Sequence, residues 1–333
     1  MNRRVVYTSD MHGNEKQYET FVEYALENKP GVVIIGGELP PKGRITEGYP
    51  KMQRDFLSQR LPTLLLPIKE NHPDTQIYVL PGNDDCAVND EVLNAHPDLF
   101  TNIDRKRVVI SGGLEIVGYS PVPITPFSIK DREKFDLTDI PASYAKAYSA
   151  LQKATYNLSG IRSVMDDITS DARWEKFRFV DEDRINSIQK DLESELFRTN
   201  PQGTIYVFHT PPQDTPLDVI YGDFDKMHVG SFAVRQFIKQ QQPFLTLHGH
   251  IHETVDASGE YADRVGNSVA MSAGNHNEDS KLSILTFDLD NLSSVERIKL
   301  PCSSFGKFTK KMFGKIKWQT LTTKDSQESK QIE

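Results

Sequence analysis

Short apolar runs alternate with amphipathic stretches along much of the chain. Residues 5–7, 32–35, 77–80, 108–110, 114–117, 204–208 and 244–247 are strand-like runs, each ending in polar residues. Between the early runs, residues 15–28 place Phe21, Tyr24 and Ala25 on one helical face, and residues 53–66 form a second helical stretch. Such alternation predicts a layered α/β fold. Residues 268–272 and 282–288 follow with no clear helix between them, and they predict a second sheet that closes a two-sheet β-sandwich flanked by helices.

The interval 121–180 is long for a connection between neighbouring strands. Pro141 fits a helix start, Ile140, Tyr144, Tyr148 and Leu151 share a face, and Gly160 can end the helix. This predicts a helical, cap-like insertion over one end of the sheet, in which Arg162, Arg173, Trp174 and Arg178 are types suited to selecting a substrate. In residues 181–199, Ile185, Ile188, Leu192 and Leu196 at helical spacing, with Pro201 beyond, predict one core helix leading into the next strand.

Composition narrows the class. A chain of 333 residues with 37% hydrophobic and 26% charged residues has the make-up of a large globular domain. No apolar run approaches the roughly 20 residues of a membrane-spanning helix. The two cysteines, Cys86 and Cys302, and the lack of a signal-type segment point to the cytoplasm. The net charge of −8 argues against a partner as anionic as long nucleic acid.

Residues 305–318 are different. Phe305, Phe308, Met312, Phe313 and Ile316 fall on one helical arc and five lysines on the other. This basic amphipathic segment suits packing on the domain, a protein contact, or peripheral contact with an anionic membrane. The domain proper is expected over residues 1–304, with a polar, disordered tail at 319–333.

The chemistry concentrates at strand ends. Asp10 and His12 stand two apart after the first run, where extended backbone would send both to one side. Glu38 follows two glycines after the second run, Asn83 follows the third, and His209 ends the run 204–208. His250 and His252 repeat the two-residue spacing, whereas His248 lies in the preceding strand and points away. Any one of these recurs by chance; together they are seven metal-seeking side chains at strand carboxyl ends, where open α/β sheets gather ligands. Carboxylates, imidazoles and an amide oxygen suit paired divalent ions about 4 Å apart, a device for hydrolysing phosphate esters.

Asp10–His12 (DMH), Gly37–Glu38 (GE), Gly82–Asp85 (GNDD), His209 and Gly249–His252 (GHIH) make the chain resemble the calcineurin-like metallophosphoesterase superfamily, whose motifs run DxH, GD, GNH plus acid, H and GHxH. The resemblance implies that Asp10, His12 and His252 hold one ion, that Asn83, His209 and His250 hold the other, and that Glu38 bridges them. It also implies a metal-bridging hydroxide that attacks phosphorus. Mn is the expected laboratory activator, with Fe, Zn or Mg as other candidates. The partner would be a phosphorylated small molecule or a nucleotide. Gly13 and Asn14 resemble the DxHGN branches of the family, where Asn14 would touch phosphate; capping the helix at Glu15 is its other role.

Two positions depart from the family. Glu38 replaces aspartate and adds a methylene to the bridge. Asp84 replaces the histidine thought to stabilise the transition state or protonate the leaving oxygen. An aspartate beside two dications is an anion at neutral pH and a poor acid, which predicts phosphodiesters or other good leaving groups. His276, in the loop AGNH, is a candidate to supply the missing acid. The same departures leave a rival reading, a scaffold or binding protein on this fold with weak or no catalysis.

Overall fold

The structure, a computed structural model, describes residues 2–110, 113–166, 171–221, 226–277 and 280–302. The amphipathic segment 305–318 and the tail 319–333 lie outside the described residues.

Two six-stranded sheets face each other. In the first, Arg4–Thr8, Val32–Gly36, Gln76–Leu80 and Thr101–Asn102 run parallel, and Lys281–Asp288 and Asn291–Pro301 add antiparallel on the other side of Arg4–Thr8. In the second, Ser268–Ser272, Leu245–His248, Thr204–Phe208 and Glu115–Tyr119 are parallel, with Ala262–Val265 and Arg107–Val109 as antiparallel edges. Both faces of the parallel strands are buried, which is why their runs are continuously apolar rather than alternating.

Alternate residues serve different cores. Val5, Tyr7, Val32 and Ile34 meet Ile205, Val207, Leu245 and Leu247 between the sheets. Val6, Val33 and Ile35 face outward against Tyr18 and Phe21 of the helix Glu15–Asn28 and Leu61 and Leu65 of the helix Leu61–Asn71. On the far side, Tyr206 and Phe208 meet Phe237 and Ile238 of the helix Phe232–Gln241. The expected sandwich with flanking helices is therefore the architecture. The two late runs separate, however. Ser268–Ser272 joins the second sheet and Lys281–Asp288 the first, because the edge of Arg4–Thr8 is free to accept an antiparallel partner.

Three expectations need correction. The insertion 121–180 is not simply helical. Its helix is Ala145–Thr155, starting four residues after Pro141, and a hairpin of Ser159–Met165 and Ala172–Arg178 follows, with Gly160 inside a strand rather than at a helix end. At Gly160 a Cβ would meet the Ser128 carbonyl, so the residue allows strand and loop to close up. Residues 181–199 form three short helical pieces, Asp181–Asn186, Ile188–Leu192 and Glu195–Arg198. Ser187 and Ser194 adopt extended backbone as caps between them, leaving Ile185 exposed while Ile188 and Leu192 are buried. The stretch 53–66 belongs to a longer helical run, Tyr49–Asp55 to Leu61–Asn71, widened to a π-turn at Phe56–Arg60 ahead of Pro62, which has no N–H to give to an α-helical bond.

The insertion is bolted to the body. Buried Asp136 accepts from the Ser231 hydroxyl and from the amides of Phe232 (2.7 Å) and Ala233 (3.3 Å) at the start of the helix Phe232–Gln241. Asp136→Ala would leave these buried donors unpaired, at roughly 1–3 kcal/mol for such a group. A loss of about 3 kcal/mol in urea denaturation is expected, restored only in part in Asp136→Asn, whose amide keeps one acceptor oxygen and sets its NH2 against a donor. Arg162 and Trp174 are also committed structurally, Arg162 over the Phe177 ring and Trp174 Nε1 donating to the Thr46 carbonyl (2.8 Å). Among the described residues no helix is long and apolar enough to cross a membrane.

Candidate metal centre

Five loops converge where the two sheets present their carboxyl ends. The first two are laced together by Asp10 N–H to the Gly37 carbonyl (3.0 Å) and His12 N–H to the Glu38 carbonyl (2.8 Å). Gly249 N–H donates to the His209 carbonyl (3.0 Å), joining the loops of the second sheet.

The backbone here is unusual. Asp10, His12, Glu38 and His250 all have positive φ, between 46° and 67°, a region that side chains other than glycine seldom adopt. Asp10 and His12 thus converge through a left-handed turn, not through the extended geometry expected for a two-residue spacing. Held strain of this kind gathers at functional sites. Two glycines make the convergence feasible: at Gly37 (φ 129°) a Cβ would run into the His209 ring, and at Gly249 it would sit 2.7 Å from Asp10 Oδ2.

All seven expected ligands meet. Asp10, His12 and His252 each offer an atom within 4.8 Å of the others. His12 Nε2 lies 3.2 Å from His252 Nε2, and His252 Nε2 lies 3.6 Å from Asp10 Oδ1. On the other side, His209 Nε2 is 3.1 Å from Asn83 Oδ1 and 3.2 Å from Glu38 Oε1, and its ring centre is 5.3 Å from that of His250. Glu38 spans the two groups, with Oε2 3.7 Å from His12 Nδ1.

These contacts fit cations better than protons. His209 Nδ1 lies 3.1 Å from the Gly36 carbonyl, an acceptor that calls for a proton on Nδ1 and turns Nε2 toward the cluster. Nε2 meets two further acceptors there, Asn83 Oδ1 and Glu38 Oε1. Buried His12 Nδ1 and Glu38 Oε2 have no hydrogen-bond partner among the described residues. Burial holds the His12 and His250 imidazoles down at about 3, so both are neutral, the ligating form. Burial and the Asp84 anion push Glu38 up to about 8, a repulsion that a divalent ion would reverse.

Asp84 stands at the rim of this cluster. Its amide donates to Glu38 Oε1 (3.0 Å), and its own carboxylate pairs with Lys42 Nζ at 2.6 Å. Burial favours the neutral acid, but the Lys42 ammonium outweighs it and holds Asp84 below the ordinary carboxylate value. The sequence reading missed Lys42. Its only signal is its place in Pro40–Pro41–Lys42, a stiff turn leaving Glu38. Gln53 was missed too; its side chain accepts from Cys86 N–H and donates to the Asp84 carbonyl, fixing the loop that carries Asn83.

Asn14 caps the helix Glu15–Asn28, its Oδ1 accepting from Gln17 N–H (3.3 Å), while its Nδ2 donates to Asn277. His276 lies behind His252, ring centres 6.4 Å apart, with Nε2 3.3 Å from Asp256. His248 is buried away from the cluster, bonded to Thr210 and Thr246, as its strand position predicts.

Residues 3–254 match the family model described as calcineurin-like phosphoesterase. Comparison with curated proteins gives no match. One solved structure, 15% identical, superposes with a TM-score of 0.50 over 91% of this chain and 100% of its own. The protein TT1561 of Thermus thermophilus gives 18%, 0.49, 91% and 100%, and a dimetal phosphatase from Danio rerio 10%, 0.41, 90% and 99%. At these identities the likeness bears on the fold alone, and it rests on the first.

Proposed function

Because the chain belongs to the calcineurin-like phosphoesterase family, we propose that it is a hydrolase of phosphodiesters, or of other phosphate esters with good leaving groups, working at two divalent ions. Asp10, His12 and His252 would hold one, and Asn83, His209 and His250 the other, with Glu38 placed between the two groups to serve both. The observation that carries this reading is the convergence of His209 Nε2, Asn83 Oδ1 and Glu38 Oε1, with His209 Nε2 3.1 Å from the amide oxygen and 3.2 Å from the carboxylate oxygen, beside the Asp10, His12 and His252 group. When bound, the ions supply Lewis acidity to the phosphoryl group and acidify a water for attack.

The chain's own residues set the rest. Glu38 turns one oxygen to each group of ligands, so the extra methylene is absorbed by its left-handed backbone. Asp84, as an anion, is a poor proton donor to a departing oxygen, and this favours esters whose leaving group needs no proton. Lys42 brings a positive charge to the same rim and meets the phosphoryl oxygens there. His276, with its ring centre 6.4 Å from that of His252, is the candidate to supply a proton or an electrophilic contact where Asp84 does not. A scaffold has no need of seven converging ligands, which weighs against the rival reading.

Asp84→His tests the leaving-group argument. With bis-p-nitrophenyl phosphate and p-nitrophenyl phosphate as paired substrates, the variant is expected to lose at least about half of the diester preference, a shift well within what one positioned acid contributes. An unchanged ratio would remove Asp84 from the account of specificity.

A further inference from the structure

Beside the metal centre lies a second cavity of about 200 Å³. Its walls include Ile124 and Phe127 from the insertion, Leu151 from the helix Ala145–Thr155, Ile220, and His250 and Ile251 from the GHIH loop. Two of these tie it to the chemistry. His250 belongs to the ligand set, and the Phe127 ring carries Lys42 Nζ 5.4 Å from its centre, the same ammonium that grips Asp84. The cavity therefore opens between a metal ligand and the charged rim where a phosphoryl group would sit.

We infer that this cavity is the subsite for the organic group of the ester, and that it takes one flat, uncharged ring, an aryl group or a nucleobase; the inference rests on the site reading above. Apart from the Glu253 carboxylate and the His250 ring, its polar side chains are already engaged. The Thr125 hydroxyl donates to Glu133, the Thr155 hydroxyl to the Leu151 carbonyl (2.9 Å), and the Tyr156 hydroxyl to that of Tyr148 (3.4 Å). A sugar or charged group entering here would lose hydrogen bonds to water and find few in exchange, which costs free energy, whereas an apolar ring gains by leaving water. The size agrees, being below the roughly 300 Å³ at which drug-sized ligand sites begin. Phe127, half exposed despite its size, is the surface such a ring would cover.

The test is calorimetric titration of the Mn-loaded full chain with methylphosphonate, phenylphosphonate and thymidine 5′-monophosphate. Phenylphosphonate is expected to bind at least about tenfold more tightly than methylphosphonate, the gain from burying one ring. A comparable gain for the nucleotide alone would identify the ring as a nucleobase. Thr155→Trp, which fills the cavity, should bring the ratio of the two phosphonates close to one, and Phe127→Ala, at a half-exposed site that tolerates change, should lower it. Equal binding of all three compounds, no binding of any of them, or a gain indifferent to both folded variants would overturn the inference. Phosphonates are read without turnover, so a protein that prefers the phenyl compound yet hydrolyses no diester would contradict the proposed function while keeping the subsite.

Discussion

Asp10→Ala is expected to lower the turnover of bis-p-nitrophenyl phosphate by at least about 10³-fold, because the centre loses a charged ligand and the site that depends on it. Asp10 is buried, with Oδ1 accepting from the His250 amide (3.1 Å) and Oδ2 from the Ser9 hydroxyl. Burial favours its neutral acid, but the neighbouring His252 outweighs it and keeps the carboxyl well below the usual range, so the charge is available to a cation. Removing it also leaves the His250 amide without its acceptor. Elemental analysis beside the kinetics should show the metal content falling by about one ion per chain. Full turnover in a variant with intact circular dichroism would exclude Asp10 from the centre.

Lys42→Ala is expected to lower kcat/KM by about 10²-fold, the scale measured for one preorganised donor facing developing phosphoryl or oxyanion charge. The ammonium is half-exposed and pairs with Asp84 at 2.6 Å, so its loss strips the rim of positive charge and leaves Asp84 repelling the incoming phosphate. Because Lys42 lies outside the ligand set and its side chain reaches solvent, metal content should hold. Lys42→Arg should recover part of the loss, since a guanidinium keeps the charge but not the point geometry. A defect in metal content rather than rate would reduce Lys42 to a structural role.

Where the sequence was legible, burial explains why. The strands leading into Asp10, Glu38, Asn83, His209 and His250 lie between layers, and their unbroken apolar runs followed by abrupt polarity put each ligand at a carboxyl end. All seven expected ligands accordingly come together. The strand Asn291–Pro301 escaped because it is an edge, polar outside and only half covered, with Val295, Ile298 and Leu300 too sparse to announce it. The caps at Ser187 and Ser194 were hidden by an apolar spacing that also suits a continuous helix. Lys42 was hidden differently: its meaning comes from Asp84, distant in sequence, and only the fold brings the two together. The left-handed backbone at Asp10, His12, Glu38 and His250 has no signature in residue type, since none is glycine.

The central claim is that two ions at this cluster perform the hydrolysis. The direct test strips the full chain with a chelator and follows bis-p-nitrophenyl phosphate hydrolysis while Mn²⁺ is titrated back against measured metal content. The account predicts no turnover in stripped protein and a rise that levels off at two ions per chain. Two bound ions with no turnover of any phosphate ester would contradict it, and would leave the chain a binding protein on a hydrolase fold.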